Sequence, residues 1–316
     1  MDGYLGIDAC ALHLECMVVN VEGEVLRKSR FSNTQDGFAR LWTWKGEDVV
    51  CTGIEATGIY HKDLCRYLGE GGHPVTVLNP YRARSLAIGL GVLAKSDQTD
   101  ALVLANMMRL LRPKPTCLRS ELHDRLRAIS RLIQSHTEDR TEAKKRLKGT
   151  LGREAKDAIS RHIAFLTSEI LVLEKSWLEL VGQSQALNEN YKLALSVPYI
   201  GPKTARVVVS ELPEDLVGFT PKQIAAYVGV VPQTNSSGKC VKHASIGHTG
   251  NAHIRKASFM PAVLGCFKDA ELSAFYNKLI AKGRHHLQAT VAVMHKCMLR
   301  IGAVLTRRSP WVAQKT

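Results

Sequence analysis

An α/β domain, a helical arm and a basic, mainly helical C-terminal half are what this 316-residue sequence predicts. Three observations carry the prediction. Short apolar runs alternate with helical periodicities over residues 1–110, a heptad-spaced apolar stripe crosses the middle of the chain, and the charge balance swings from acidic to basic.

The first domain is placed at 1–111. Strands are expected at 3–8, 14–20, 24–31, 48–55 and 74–78, where β-branched and apolar residues cluster, with Gly23 turning the second run into the third. Helices are expected at 34–44, 60–70 and 97–110. Asn79-Pro80 is read as the end of the fifth strand, and Gly89-Leu90-Gly91 as a mobile loop before the helix at 97. Three hairpin-linked strands followed by helix-strand units point to a ribonuclease H-like fold, in which the first and fourth strands lie side by side.

Pro113 and Pro115 mark a boundary. Beyond them Leu118, Leu122, Leu126, Ile129 and Ile133 recur at helical spacing. After Gly149 and Gly152, the residues Ile163, Leu166, Ile170, Leu173, Trp177 and Leu180 form a heptad seam. Helices over 118–148 and 153–182 would make an antiparallel coiled-coil arm in a segment 112–185, with Lys144-Lys145-Arg146-Leu147-Lys148 as a nucleic-acid contact or a solvated face. The remainder, 186–316, reads as helical. Val197-Pro198-Tyr199-Ile200-Gly201-Pro202-Lys203 reads as a helix-hairpin-helix turn in which Gly201 and Lys203 meet a DNA phosphate, or as a plain turn between packed helices. Phe219 to Val230 reads as another helix, closed by Gly229.

The net charge is +14, unevenly spread. Residues 1–111 hold 11 Lys+Arg against 13 Asp+Glu, residues 112–185 hold 15 against 10, and residues 186–316 hold 17 against 6. Such a gradient suits an enzyme that cuts a polyanion in one domain and holds it with another. Eight scattered cysteines without a CxxC pair argue for reduced thiols rather than disulfides or zinc. No tract of ~18 apolar residues and no signal-peptide pattern at Met1-Asp2-Gly3-Tyr4 point to a cytoplasmic protein.

The acidic half carries the first chemical signal. Asp8 closes the first strand, Glu55 closes the fourth, and Asp97 and Asp100 share one face at the start of an apolar helix. Four like charges converging there would need a counter-charge. Mg²⁺, a hard cation preferring oxygen ligands, is the natural one, and a pair of such ions is a general device for cutting phosphodiesters.

The second signal is the polar loop Thr234-Asn235-Ser236-Ser237-Gly238-Lys239, followed by Lys242, His243, His248, Gly250, Asn251, His253, Arg255 and Lys256. Cations and amides behind a serine would hold a phosphate and ease alkoxide attack, or the stretch is a phosphate-binding loop without a covalent step. The five-residue steps between His243, His248 and His253 do not stack on a helix face, which argues against a metal triad.

At these residues the chain resembles the DEDD-type transposases of bacterial insertion sequences, a family related to the Piv DNA invertase. The resemblance rests on Gly6-Ile7-Asp8, Glu55-Ala56-Thr57-Gly58-Ile59-Tyr60, Val77-Leu78-Asn79-Pro80 and Lys95-Ser96-Asp97-Gln98-Thr99-Asp100-Ala101 in the first half. In the second half it rests on Ile200-Gly201-Pro202-Lys203-Thr204-Ala205, Tyr227-Val228-Gly229-Val230-Val231-Pro232, Ser237-Gly238 and Gly247-His248-Thr249-Gly250-Asn251-Ala252-His253-Ile254-Arg255.

The resemblance implies a RuvC-like first domain in which Asp8, Glu55, Asp97 and Asp100 bind two Mg²⁺ ions and act catalytically. It implies that Ser237 becomes covalently joined to DNA; the turn and the cation cluster themselves suggest Gly201, Lys203, Lys239, Lys242, His248, Asn251, Arg255 and Lys256 as the nucleic-acid contacts. It further implies a structured guide RNA, and a dimer or tetramer whose active sites combine two subunits. The residues Ala9-Cys10-Ala11-Leu12-His13 lack the lysine that members carry after the first aspartate, and Ser236 competes with Ser237 for the nucleophile's place.

Three other readings compete. A Holliday-junction resolvase-like nuclease would use the quartet to activate water and leave the serine loop idle. A sugar-kinase or actin-like ATPase would want glycine where Ala9 stands. A non-catalytic nucleic-acid adaptor would leave the quartet as surface charge.

Overall fold

A computed structural model of the chain describes residues 2–56, 58–92, 96–116, 119–216, 218–234, 244–246 and 250–312. Contacts group the chain into two compact units, Met1–Leu118 and Arg119–Thr316.

The first unit contains β1 (Gly3–Ala9), β2 (His13–Val19), β3 (Val25–Ser32), α1 (Gln35–Lys45), β4 (Val49–Glu55), α2 (Lys62–Glu70), β5 (Val75–Leu78), α3 (Pro80–Gly89) and α4 (Asp97–Leu111). The strands form one sheet in the order β3-β2-β1-β4-β5. β1, β2 and β3 pair antiparallel, while β4 and β5 run parallel to β1, the arrangement expected of a ribonuclease H-like sheet.

Alternation along β1 splits the two faces. Leu5, Ile7 and Ala9 pack with Phe38 and Leu41 of α1 and Leu64 and Leu68 of α2. Tyr4 faces the other way, onto Leu104, Ala105 and Met108 of α4 and Ala83 of α3. Gly6 shares that second face. A Cβ built on it would stand 2.1 Å from the carbonyl oxygen of Ala101 and 2.3 Å from the amide nitrogen of Ala105, so helix and strand backbones touch there.

The second unit begins with two long helices, α5 (Glu121–Gly149) and α6 (Arg153–Val181), packed as a hairpin. Leu166, Ile170, Trp177 and Leu180 of the heptad seam are buried, with Leu126 and Ile133 on the α5 side. There follow α7 (Gln185–Ser196), α8 (Pro202–Glu211), α9 (Pro221–Val228), the short strands β6 (Pro232–Thr234) and β7 (Ala244–Ile246), α10 (Ala252–Lys268), α11 (Ala270–Ala281) and α12 (His286–Arg307). α12 is long and apolar enough to cross a membrane by length and composition. Its Val293, Met298, Ile301 and Leu305 are nonetheless the centre of this unit's core.

One buried carboxylate ties four segments of this unit. The Glu211 side chain at the end of α8 is fully buried. Its Oε1 accepts from Arg131 Nε at 2.6 Å, and its Oε2 accepts from Arg127 Nε at 3.1 Å and Asn251 Nδ2 at 2.8 Å. Burial pushes its pKa up, but the Arg131 hydrogen bond, the Arg127 charge and the Asn251 amide outweigh it and hold the group at about 2. The backbone carbonyl of Glu211 also accepts from Arg119 and from the Tyr227 hydroxyl.

Two elements were not among those expected. A helix, α3, follows β5, because the Asn79 side chain caps the amides of Tyr81 and Arg82, and Pro80 takes the first helical position, where no N–H is needed. The mainly helical second unit also holds one antiparallel strand pair, β6 with β7. Gly229 does close α9, in a left-handed conformation with φ 79°.

Two predictions follow from this packing. Gly6→Ala drives a methyl group into the α4 backbone and should cost about 1–3 kcal/mol, as overpacking does, read as a lower urea midpoint. Glu211 has a depressed folded pKa, so its contribution is complete above the ordinary value of 4.5 and is lost as pH falls towards about 2. That contribution is about 3 kcal/mol at about 1.4 kcal/mol per pK unit. Thermal unfolding of Glu211→Gln should therefore show a shallower acid dependence between those limits than the parent chain, on a lower plateau.

Candidate active site

The registers bring the first two carboxylates together. Ile7 of β1 pairs with Ile54 of β4 in parallel, so the next residues, Asp8 one before the end of β1 and Glu55 at the end of β4, stand side by side on strands about 4.8 Å apart. Alternation puts Asp8 on the face of Tyr4 and Gly6, and Glu55 on the face of Gly53, whose added Cβ would meet Met108 of α4 at 2.6 Å. Both carboxylates therefore leave the sheet on the side that α4 covers.

The same helix delivers the other two. Ser96 caps α4 in a reciprocal box with Thr99, which fixes the start of the helix at Asp97. Ala101 and Leu104 lie one turn on from Asp97 and Asp100, and both are fully buried. Asp97 and Asp100 thus continue the sheet-facing stripe to the helix end. That end lies at the carboxyl ends of the strands, because His13, which opens β2, reaches Asp97 with Nε2 3.3 Å from Oδ2. Asp97 is exposed, whereas Asp8, Glu55 and Asp100 are half-buried.

Three neighbours carry no motif in the sequence. His13 sits between Cys10 and Asp97, its Nδ1 lying 3.2 Å from Cys10 Sγ. Glu15 pairs across the strands with Asp8 and is buried, 4 % exposed. It accepts from Arg30 Nε at 2.7 Å, so that a guanidinium offsets a fifth carboxylate beside the quartet. A charged residue inside the apolar run Leu14-Glu15-Cys16-Met17-Val18 was the available signal for it.

The donor set is carboxylate oxygen, which suits a hard divalent cation. Among the described residues, no three His, Cys, Asp or Glu groups stand close enough together to hold an ion as they are. The elements converge, but the side chains do not close a coordination shell.

The second group of expected site residues divides. Ser236, Ser237, Lys239, Lys242, His243 and His248 lie outside the described residues. Asn251 caps α10 through the amides of His253 and Ile254, and its own amide nitrogen is given to Glu211. Arg255 donates to the Val228 carbonyl, and Lys256 pairs with Glu138. These three residues bond the start of α10 to α8, α9 and α5. Gly250, at φ 102°, helps: its added Cβ would meet Gly229 Cα at 2.5 Å, so the loop's end lies directly on the end of α9. His253 is held by Gln134, with Nδ1 2.6 Å from Oε1, and burial lowers its pKa. Gly201 and Lys203 are exposed at the start of α8.

A family model described as "Transposase" matches residues 5–154, and one described as "Transposase IS116/IS110/IS902 family" matches residues 191–277. The pilin gene-inverting protein of Moraxella bovis is 26% identical over 316 residues, 98% of this chain and 97% of that protein. The transposase for insertion sequence element IS1111A of Coxiella burnetii is 23% identical, covering 97% of this chain and 90% of that one. A solved structure of T. thermophilus RuvC with a Holliday junction substrate aligns at 18% identity over 37% of this chain and all of that one, with a TM-score of 0.28. A score that low adds nothing to the topology above. Two transposase models, one on each half, and full-length likeness to a gene-inverting protein place this chain in the IS116/IS110/IS902 family of transposases, enzymes of DNA transposition and recombination.

Proposed function

We propose that the protein excises and inserts a mobile DNA element by Mg²⁺-dependent strand cleavage and exchange, with a serine joined to DNA between the two steps. The observation that carries this reading is the placing of Asp8 and Glu55 on paired strand ends beside the start of α4, which bears Asp97 and Asp100. Asp8, Glu55, Asp97 and Asp100 would hold the ions, and His13 and the Glu15–Arg30 pair set the charge around them. Held there, divalent ions would supply positive charge to stabilise a phosphate under attack.

The nucleophile is Ser237. Its Oγ gives up its proton and forms a bond to the scissile phosphorus, the bond from phosphorus to a deoxyribose oxygen breaks, and that oxygen takes up a proton in exchange. Attack by a second DNA hydroxyl reverses the exchange, so that no phosphodiester energy is lost. The basic C-terminal half carries the DNA. A structured guide RNA choosing the target, and a dimer or tetramer joined through the helical hairpin in which one subunit's quartet meets another's serine, complete the proposal.

Two experiments test it. Asp8→Asn and Ser237→Ala should each abolish excision in cells carrying the element while leaving the unfolding temperature unchanged; normal excision by either variant removes that residue from the chemistry. Denaturing gels of protein incubated with labelled element ends and Mg²⁺ should show a serine-linked adduct that EDTA prevents and Ser237→Ala lacks. Cleavage without any adduct, in both chains, would instead mean hydrolysis by the quartet alone, as in a resolvase-like nuclease.

A further inference from the structure

The acidic edge has a basic neighbour on its own sheet. α3 carries Arg82 and Arg84 and no acid, in a stretch where 13 Asp+Glu outnumber 11 Lys+Arg over residues 1–111. The registers that place the carboxylates also place its start. Glu55 of β4 pairs with Leu78, the last residue of β5, and Asn79 then caps α3. Tyr81 therefore follows closely on the strand end beside Glu55, at the edge where Asp8 and Asp97 also lie.

The two sides of α3 differ. Ala83 and Ala87 are buried, and Ala83 packs with Leu104, Ala105 and Met108 of α4, so α3 covers the sheet face on which the carboxylates leave. Helical spacing turns the opposite side outward. Tyr81, Ser85 and Ile88 follow at steps of four and three and form one ridge, with Arg82 on one flank and Arg84 on the other. Tyr81 is 72 % exposed and Ile88 55 %. Ser85 turns its hydroxyl back onto the Tyr81 carbonyl, at 2.9 Å, which leaves the crest of the ridge apolar. The Asn79 side chain already takes the amides of Tyr81 and Arg82, so it is the side chains of α3, not its first amides, that are offered. Among the described residues no carboxylate pairs with Arg82.

A single exposed ring needs no explanation. A ring flanked by two guanidiniums, beside four carboxylates, fits a particular occupant. A second copy of the same ridge would meet its own charge. A DNA strand fits, with phosphates for the guanidiniums and bases for the ring. Strand exchange adds a need for such a surface, since it unpairs the nucleotides at the cut and leaves their bases without partners.

We infer that α3 positions the strand being cut: Arg82 holds a phosphate next to the scissile one, and the Tyr81 ring stacks on the base released beside it. Both are positioning residues, which set the scissile phosphate over the acidic edge without touching the reacting atoms. The inference rests on the reading of that edge as the cleavage site, and the two fail separately. Asp8→Asn tests the edge by excision, whereas the α3 contact is read in EDTA, where no strand is cut.

The test is photocrosslinking of the full-length chain, purified from cells carrying the element, to element-end DNA bearing 5-iododeoxyuridine on either side of the cut. The peptide containing Tyr81 should crosslink at those positions and not one turn of the duplex away. Tyr81→Ala should remove the crosslink and lower excision in cells by about tenfold, the order of one stacked base, at an unchanged unfolding temperature. Tyr81→Phe, which keeps the ring, should recover both. Arg82→Gln should lower the salt slope of DNA binding by about one, and Arg82→Lys should restore it. Normal excision by Tyr81→Ala, crosslinks confined to peptides of the second unit, or equal crosslinking at both distances would overturn the inference. So would a Tyr81→Ala chain whose sedimentation changes while its crosslinks do not, since the ridge would then be a contact between copies.

Discussion

The approach of α4 to β1 is the constraint on which the acidic site depends. Helix and sheet usually stand apart by the length of their side chains, and here one residue without a side chain lets the two backbones meet. Gly6 makes that contact two residues before Asp8, and Ala101 and Ala105 receive it one and two turns after Asp97. The short distance from contact to carboxylates on both elements leaves little freedom in where the acids stand. The capping box of Ser96 and Thr99 then fixes the helix start, and Ile7–Ile54 pairing fixes which strand residue follows on each side. Backbone contact, cap and register together place four like charges at one edge, with His13 and the Glu15–Arg30 pair beside them.

The second unit is organised around a buried ion cluster. Glu211 is buried with two guanidiniums and one amide, so its lone pairs are filled and breaking any one partnership leaves an uncompensated charge. Through Asn251 the cluster reaches the residue at which the serine loop returns. Gly250 lying on Gly229 and Arg255 bonded to Val228 repeat that attachment on the backbone. Asn251 and Arg255, which look like ligand contacts in sequence, are bonded within the chain.

The fold was largely legible in the chain. Five strands and the long helices announce themselves by period, because burial on one face imposes a repeat of two or of three to four. The helix at Pro80–Gly89 escaped because its start carries Asn-Pro, which signals a turn as readily as a cap and first turn. The β6–β7 pair escaped because three-residue strands are too short to show a period. In the site, the quartet was legible since each acid ends an apolar element. Glu15, His13 and Glu211 were not, because each acquires its meaning from a partner 15 or more residues away: Arg30, Asp97 and the α5 arginines.

By itself the sequence determined the order of elements, the acidic first half and basic second half, and the four carboxylates at element ends, since these follow from local periodicity and composition. Only the tertiary structure decided that α4 lies backbone to backbone on β1, that Asn251, Arg255 and Lys256 bond within the chain, and that α3 turns Tyr81 outward beside the acidic edge. The physical reason is the same in each case. A polar side chain can meet nucleic acid, metal or another part of its own chain with the same chemistry, and which partner it takes is set by long-range packing that no local pattern encodes.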